Sequence, residues 1–199
     1  ALLTWYLLEF RGQRGALVKS ITTTDMIYKL GEVYKVPVFE TPVGFKFLGP
    51  TMTEHNALIA GEESGGYAFR NHIPERDGIL SGLYLLDLMA RTGKTPSNLL
   101  RELEHMVGTH RYDRKDIFFG SESVEKIKRR VESAKPESIA GIPIISRDTI
   151  DGTRFRLEDG SWTLIRFSGT EPLLRIYAEA PSDAQVSTLI ASAQDITGV

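Results

Sequence analysis

Apolar and polar positions along the first half of the chain follow the periods of helices and strands in turn. Residues 2–10 carry apolar side chains at helical spacing, and short apolar runs typical of strands lie at residues 16–20, 36–41 and 57–60. Residues 79–90 are apolar on most sides of a helix, so we expect a well-buried helix there. Strands that alternate with helices predict a layered α/β domain with a mixed sheet.

The second half of the chain has the pattern of a smaller α+β domain. Three runs with strand character lie at residues 152–157, 162–167 and 173–180, separated by short turns and loops. A segment of helical period precedes them, and another, capped by Ser182, follows them. We therefore expect an antiparallel sheet with two helices in this part.

A polar stretch separates the two patterns. Residues 108–115 (GTHRYDRK) contain no apolar run and predict a linker. We place an α/β domain in residues 1–112 and an α+β domain in residues 113–199. The length of the chain suits two modest domains.

The composition narrows the environments and partners to consider. The 199 residues include no cysteine, which excludes disulfides and thiolate metal sites. The net charge of -2 gives no electrostatic reason to expect nucleic acid or an anionic membrane as a partner. No apolar run approaches the roughly 20 residues of a membrane span. We expect a cytoplasmic protein, and the helical pattern already under way at Ala1 predicts a fragment of a longer one.

The loop between the last two predicted strands carries groups suited to a phosphate. Arg166 and Arg175 flank it with planar charged donors, and Ser168 and Thr170 add hydroxyl donors. Gly169 allows backbone N–H groups to turn inward as an anion-binding nest. The local chemistry is also compatible with a polar turn whose two arginines are simply solvated.

An acidic, glycine-rich loop, GEESGG at residues 61–66, follows another predicted strand. Loops at strand C-termini in α/β sheets are favoured binding positions. If the extended alternation persists, Glu62 and Ser64 point to one side, where a carboxylate and a hydroxyl can bind neighbouring sugar hydroxyls. Glu63 then points the other way, which suits neither a metal site nor an acid/base pair. A flexible surface loop with solvated acids is the alternative.

Two further loops are polar. TPVGFK ends a predicted strand with Gly44 and Lys46, and RNHIPERDG precedes the long predicted helix. In the second loop His72 is a candidate proton carrier, although such a histidine is more often a structural hydrogen-bonding residue. Arg76 is a candidate anion contact or the partner of Asp77 in an internal ion pair.

Four motifs together resemble the C-terminal half of an α-D-phosphohexomutase of the phosphoglucomutase/phosphomannomutase family. They are TPVGFK, GEESGG, HIPERDG and RFSGTEPLLR, in that order and spread over nearly the whole chain. The resemblance implies that residues 1–112 are the family's third domain and residues 113–199 its fourth, in a four-domain enzyme with one cleft.

The resemblance also implies roles for the loop residues. The substrate sugar would be bound by Glu62, Ser64, Gly44 and Lys46. The phosphate that is not reacting would be held by Arg166, Ser168, Gly169, Thr170 and Arg175. Arg76 stands where relatives often have lysine, and arginine keeps the charge but is a poor proton donor. Gly66 replaces a histidine found in some relatives, so no histidine can act from that point. The candidate catalytic residues in this chain are His72 and Arg76.

Two further family motifs are absent from the sequence. The family's phosphoserine nucleophile lies in a T-x-S-H-N-P-type loop and its magnesium is held by a D-G-D-x-D-R-type loop, and neither occurs here. Phosphoryl transfer needs both groups. The resemblance therefore implies that the catalytic residues and the Mg²⁺ ligands lie in N-terminal domains outside this chain, which alone would be inactive.

The parent protein implied by the resemblance interconverts hexose 1-phosphate and hexose 6-phosphate. The reaction would pass through a hexose 1,6-bisphosphate that reorients in the cleft. Glucose is the favoured hexose, and mannose is a second candidate. A non-catalytic sugar-phosphate binding or regulatory module is the alternative function.

Overall fold

The computed structural model describes residues 1–120, 124–168 and 173–199. They form two compact units, Ala1–Gly108 (unit 1) and Thr109–Val199 (unit 2). Among these residues, no helix has the length and apolar character needed to cross a bilayer.

Unit 1 is a mixed four-stranded sheet packed with helices. Its elements are α1 (Leu2–Trp5), a π-helical turn (Tyr6–Phe10), β1 (Leu17–Ser20), α2 (Met26–Tyr34), β2 (Val38–Thr41), α3 (Phe45–Glu54), β3 (Ile59–Gly61), β4 (Tyr67–Phe69), α4 (Gly78–Thr92) and α5 (Pro96–Val107). The strand order is β2-β1-β3-β4, with β1 parallel to both β2 and β3 and with β4 antiparallel to β3. The predicted α/β class is confirmed.

Two elements of unit 1, α3 and β4, were not predicted from the pattern of apolar and polar positions. α3 begins inside the TPVGFK motif, and Pro50 interrupts its apolar periodicity. β4 is a strand of three residues that follows the acidic loop directly. Residues 2–10 are helical as predicted, but their second half is π-helical, with the Arg11 N–H bonded to the Tyr6 carbonyl oxygen.

The prediction of a well-buried helix at residues 79–90 is wrong. α4 covers this segment, yet Ile79, Leu83 and Leu86 are 80%, 56% and 60% exposed, whereas Leu88 is fully buried. Only one side of this helix packs against the rest of unit 1. An apolar sequence pattern reports the character of a helix surface and not which side a neighbouring layer covers.

Unit 2 is an antiparallel six-stranded sheet packed with helices. Its elements are β5 (Arg111–Phe118), α6 (Val124–Ser133), β6 (Ser138–Ile139), β7 (Ile142–Asp148), β8 (Thr153–Leu157), β9 (Trp162–Phe167), β10 (Leu173–Ala180) and α7 (Asp183–Thr197). The strand order is β5-β10-β9-β8-β7-β6, and the three predicted strands are β8, β9 and β10. The predicted α+β character of this part is confirmed.

β5 corrects the predicted linker. From Arg111 onward the polar stretch belongs to this strand, which pairs with β10 from Arg111 opposite Ala180 to Phe118 opposite Leu173. β5 lies at the edge of the sheet with mostly exposed side chains, so backbone pairing supports it without an apolar pattern. The boundary between the two units follows Gly108, so nearly all of the polar stretch at residues 108–115 belongs to unit 2.

One face of the unit 2 sheet carries its hydrophobic core. Ile165 and Ile176, opposite each other on β9 and β10, pack in one buried cluster with Val131 of α6 and Leu189 of α7. α7 is capped as predicted by Ser182, whose Oγ accepts a hydrogen bond from the Gln185 N–H. The helices therefore cover this face, and the opposite face of β9 and β10 also carries buried side chains, among them Trp162, Leu164 and Tyr177.

Candidate functional site

The loops singled out in unit 1 meet at one edge of its sheet. β1, β2 and β3 are parallel, and Lys19 near the end of β1 is in register with Glu40 on one side and Gly61 on the other. The acidic loop follows β3, and the TPVGFK motif leads from β2 into α3. The carboxyl edge of parallel strands is the usual place for a ligand in an α/β sheet.

Glu62 joins these two loops. Its side chain is buried, and its Oε1 accepts a hydrogen bond from the Gly44 N–H at 2.7 Å. Gly44 has φ of +122°, a conformation that favours glycine, and it immediately precedes α3. The bond therefore fixes the acidic loop against the first turn of α3, where the Lys46 side chain is exposed.

The acidic loop is a tight turn rather than an extended segment. The Glu62 N–H donates to the Gly66 carbonyl oxygen at 3.0 Å, and the Gly65 N–H donates to the Glu62 carbonyl oxygen at 3.1 Å. The alternation assumed for this loop therefore ends at Glu62. Glu62 is buried and Ser64 is exposed, so the two predicted sugar contacts share a loop but not an environment.

The loop that precedes α4 packs against the same edge. The guanidinium carbon of Arg76 lies 5.3 Å from the centroid of the Phe45 ring. A Cβ at Gly66 would lie 2.6 Å from Arg76 Cδ, and a Cβ at Gly49 would lie 2.8 Å from the Pro74 carbonyl oxygen. Glycine at both positions lets this loop approach closely, so the three motifs of unit 1 form one surface.

His72 and Arg76 have partners within their own loop. His72 Nε2 lies 2.8 Å from Asp77 Oδ2, and Asp77 Oδ1 accepts the Leu80 N–H at 2.8 Å at the start of α4. The Leu80 amide, and then His72, lower the pKa of Asp77. Arg76 pairs with Glu75 at 2.9 Å and not with Asp77, and its backbone N–H holds the Glu75 pKa below its usual range. The contact of His72 is that of a structural residue at a helix N-terminus.

Lys19 is a buried cation that sequence reasoning did not single out. Its Nζ lies 2.5 Å from Asp25 Oδ1 and 3.3 Å from Glu40 Oε2, and the side chain is fully buried. It also lies 4.6 Å from the centroid of the Tyr28 ring. Buried charges persist when they are paired, and this cluster lies beside Gly61, where the acidic loop begins. The available signal was a lysine inside the apolar run ALVKS.

Unit 2 brings together the two arginines of its hairpin. Arg166 of β9 is directly opposite Arg175 of β10, and their side chains are 17% and 28% exposed. Arg166 Nε lies 2.9 Å from Asp151 Oδ2, and Arg175 Nε lies 3.6 Å from Asp116 Oδ2. Each guanidinium therefore has a carboxylate beside it, which offsets the repulsion between like charges that face each other across two strands.

Ser168 lies at the end of the same hairpin. Its N–H donates to the Leu173 carbonyl oxygen at 2.8 Å, directly after β9 and at the start of β10. Gly169 and Thr170, the other predicted phosphate-binding residues of this loop, lie outside the described residues. The structure thus places this serine next to the paired arginines.

A magnesium ion does not fit the described part of the chain. No group of three or more histidine, cysteine, aspartate or glutamate side chains within it could hold a metal ion. The carboxylates of Asp25 and Glu40 at the edge of unit 1 already surround Lys19. These residues therefore offer no set of ligands for a metal-dependent step.

Two family models match the chain in succession. Residues 1–106 match the phosphoglucomutase/phosphomannomutase alpha/beta/alpha domain III, and residues 127–195 match the phosphoglucomutase/phosphomannomutase C-terminal domain. The first match lies within unit 1 and the second within unit 2.

Individual proteins that resemble the chain carry names from the same family. The chain is 32% identical to a phosphoglucomutase/phosphomannomutase of Thermococcus kodakarensis over 85% of its length, and 31% identical to a phosphoglucosamine mutase of Methanocaldococcus jannaschii over 93%. A crystal structure from Thermus thermophilus, assigned as a phosphomannomutase, matches 100% of the chain with a TM-score of 0.78 at 36% identity. The chain spans 35%, 39% and 40% of these three proteins, so each has a large part without a counterpart here.

Proposed function

Because the chain belongs to the phosphoglucomutase/phosphomannomutase family, we propose that it is the substrate-binding part of a phosphohexomutase that interconverts hexose 1-phosphate and hexose 6-phosphate. The observation that carries this proposal is the pairing of Arg166 with Arg175 across the hairpin of the RFSGTEP motif. Two arginines opposite each other on neighbouring strands supply planar charged donors of the kind that bind a phosphate dianion.

The arginine hairpin, defined by Arg166, Ser168 and Arg175, holds the phosphate that is not reacting. Arg166 uses Nε for Asp151, and neither of its terminal nitrogens has an acceptor among the described residues. Ser168 lies at the same end of the hairpin, directly after β9. Guanidinium contacts do not depend on which sugar carbon bears the phosphate, so the hairpin suits both the 1-phosphate and the 6-phosphate.

The acidic loop binds the sugar hydroxyls. Glu62 keeps acceptor capacity beyond its bond to Gly44, because a carboxylate has about four lone-pair sites. Ser64 is exposed in the same turn, and Lys46 is exposed on the first turn of α3. The loop is already fixed by its own hydrogen bonds, so a bound sugar pays little for ordering it.

The remaining machinery belongs to a longer parent protein. The chain contains neither the phosphoserine loop nor the magnesium loop of the family, so this chain alone is inactive. Its partners are the N-terminal catalytic domains of the same protein, in the cytoplasm. The family's magnesium loop would lie in those domains, and a metal held there would supply charge neutralisation for the transferring phosphoryl group. Of a hexose 1,6-bisphosphate intermediate, the arginine hairpin holds whichever phosphate is not reacting.

The favoured substrate is a glucose phosphate, with mannose phosphate second. The similarity to the Methanocaldococcus jannaschii phosphoglucosamine mutase adds an amino-sugar phosphate as a further candidate. Glu62 is compatible with all three, because a carboxylate accepts hydrogen bonds from a hydroxyl and from an ammonium group alike.

A non-catalytic sugar-phosphate binding or regulatory module is the competing function. It would use the same hairpin and the same acidic loop but would need no catalytic domains. The two functions therefore differ in what the gene encodes before Ala1, and in whether the product turns over a hexose phosphate.

The test compares this chain with a longer protein that includes the sequence encoded upstream of Ala1. We expect mutase activity on glucose, mannose or glucosamine 1-phosphate in the longer protein and none in the chain alone. Activity of the chain alone would contradict the division of labour, and a longer protein inactive on all three sugars would contradict the mutase.

A matched pair of variants tests the hairpin in the longer protein. Arg166→Ala should lower kcat/KM at least about a hundredfold, since charge-assisted hydrogen bonds of about 1.5–3 kcal/mol each are lost. Arg147→Ala removes an arginine of β7 that donates to the Glu132 carbonyl oxygen, and it should stay within about twofold. Equal effects of the two changes would count against a phosphate at the hairpin.

A further inference from the structure

The turn between β7 and β8 lies against the strand that carries Arg166. Gly152 ends this turn with φ of +102°, and a Cβ there would lie 2.5 Å from the Ile165 carbonyl oxygen and 3.1 Å from Arg166 Cα. Side chains rarely adopt this φ, and none fits so close to another backbone, so the position requires glycine. The turn therefore packs directly against the backbone of β9 at Ile165 and Arg166.

Asp151, the preceding residue, holds the guanidinium of Arg166. Its Oδ2 accepts the Nε–H at 2.9 Å, and the two side chains are 23% and 17% exposed. Asp151 belongs to none of the four motifs that carry the family resemblance. The contact joins a turn that sequence reasoning passed over to the residue proposed to bind phosphate.

We propose that Asp151 and Gly152 form a positioning element that orients Arg166 for phosphate binding. This inference rests on the proposed function, because it concerns the arginine hairpin. A guanidinium held through Nε keeps a fixed plane and presents Nη1 and Nη2 as a fork, which matches two phosphate oxygens. Without that bond, the long side chain is ordered only when the anion binds, and the ordering weakens the binding.

The charge of Asp151 and its hydrogen bond to Arg166 have opposite effects on phosphate binding. A carboxylate beside Arg166 lowers the positive potential that attracts a phosphate, so removing the charge alone strengthens the attraction. Removing the acceptor frees the guanidinium and weakens binding. Asp151→Asn keeps an acceptor without the charge, whereas Asp151→Ala removes both, so the two variants separate orientation from charge.

The experiment is a titration of inorganic phosphate into the nitrogen-15-labelled chain, with the Arg166 Nε–Hε signal followed by NMR. We expect Asp151→Ala to weaken phosphate binding about three- to tenfold, the cost of ordering one long side chain. The same variant should speed the exchange of Hε with water in the free protein. Asp151→Asn should bind phosphate at least as tightly as the unmodified chain.

A matched aspartate–arginine pair on the same sheet face supplies the control. Arg154 Nε donates to Asp148 Oδ2 at 2.8 Å, and Arg154 is opposite Leu164, two residues before Arg166 on β9. Asp148→Asn should change phosphate affinity by less than about twofold, because Arg154 is outside the proposed hairpin. The amide spectrum of each variant shows whether it is folded.

The outcomes separate this inference from the proposed function. If Arg166→Ala abolishes phosphate binding but Asp151→Ala binds as tightly as the unmodified chain, the hairpin binds phosphate and the positioning role is wrong. If Arg166→Ala leaves the affinity unchanged, the phosphate site itself is wrong and the positioning role falls with it. Weaker binding with faster Hε exchange in Asp151→Ala, and neither in Asp148→Asn, supports the positioning element.

Discussion

The acidic-loop edge of unit 1 and the arginine hairpin of unit 2 differ in how deeply their charged side chains are buried and in how those side chains are paired. At the edge of unit 1, Lys19 and Glu62 are buried, the lysine between two carboxylates and the glutamate on the Gly44 N–H. In the hairpin, Arg166 and Arg175 are partly exposed, and each has its nearest carboxylate at Nε.

The contrast separates Lys19, which serves the framework alone, from the hairpin arginines, which keep donors for a ligand; Glu62 supports the fold through Gly44 and keeps acceptor capacity. A buried ion whose partners all come from the fold holds strands and loops in place, and breaking such a cluster leaves uncompensated charge. A guanidinium held at one nitrogen keeps two others for an anion. Changes at the edge of unit 1 should therefore affect stability first, and changes at the hairpin should affect binding first.

The largest expected effect is the loss of Lys19. Lys19→Met leaves the carboxylates of Asp25 and Glu40 largely buried without their cation, and it should lower the free energy of unfolding by about 3–5 kcal/mol. Arg166→Met in the hairpin should cost less than about 1 kcal/mol, since a partly exposed ion pair contributes little. Urea titration of both variants measures the difference, and equal losses would break the comparison.

Two glycines of unit 2 provide the next test. Gly152→Ala should cost about 2–4 kcal/mol, because it combines a disfavoured φ with a clash against the backbone of β9. Gly160→Ala, at φ of +87° with open space around it, should cost only about 1 kcal/mol. Thermal melts of the two variants isolate the steric part, and a smaller loss at Gly152 would contradict the close seating of the turn.

Glu62 tests whether the acidic loop is held by its carboxylate. Glu62→Ala leaves the Gly44 N–H without its acceptor and should destabilise the fold by about 1–3 kcal/mol. Ser64→Ala, in the same turn but exposed, should lie within about 0.5 kcal/mol of the unmodified chain. Chemical denaturation distinguishes the two, and equivalence would mean that the loop needs no anchor.

The smallest expected effect concerns acid stability at the start of α4. The folded-state pKa of Asp77 is lowered, so its stabilisation is present above the unfolded value of about 3.9 and is lost as the pH falls through the folded pKa. Asp77→Asn keeps an acceptor for the Leu80 N–H without the titration. The Tm of the unmodified chain should fall more on acidification than that of the variant, and parallel declines would contradict this.

Local periodicity predicted elements well where one face of an element is buried. β8, β9 and β10 were predicted because inward residues such as Ile165 and Ile176 alternate with residues of the opposite face. β5 was missed because an edge strand needs backbone pairing and not an apolar face. α4 was predicted as a helix, but the exposure of Leu83 could not be, because burial depends on which layers lie beside a helix.

The candidate site divides along the same line. The motifs named Glu62, Arg166 and their neighbours because chemistry-bearing residues cluster in short stretches of sequence. Lys19 was passed over because its carboxylates come from a helix start and from the adjacent strand. Asp151 was passed over because its partner is fifteen residues away and is reached only through the register of β8 and β9.

By itself, the sequence determined the family, the order of most helices and strands, and the short motifs in which the candidate binding residues lie. Each depends on local stereochemistry, since strand alternation and helical period act over a few residues. Only the tertiary structure decided that Lys19 pairs with Asp25 and Glu40 inside unit 1 and that Asp151 accepts a hydrogen bond from Arg166. Both contacts join segments distant in sequence, and their free energy depends on burial and distance, which exist only once the sheets have formed.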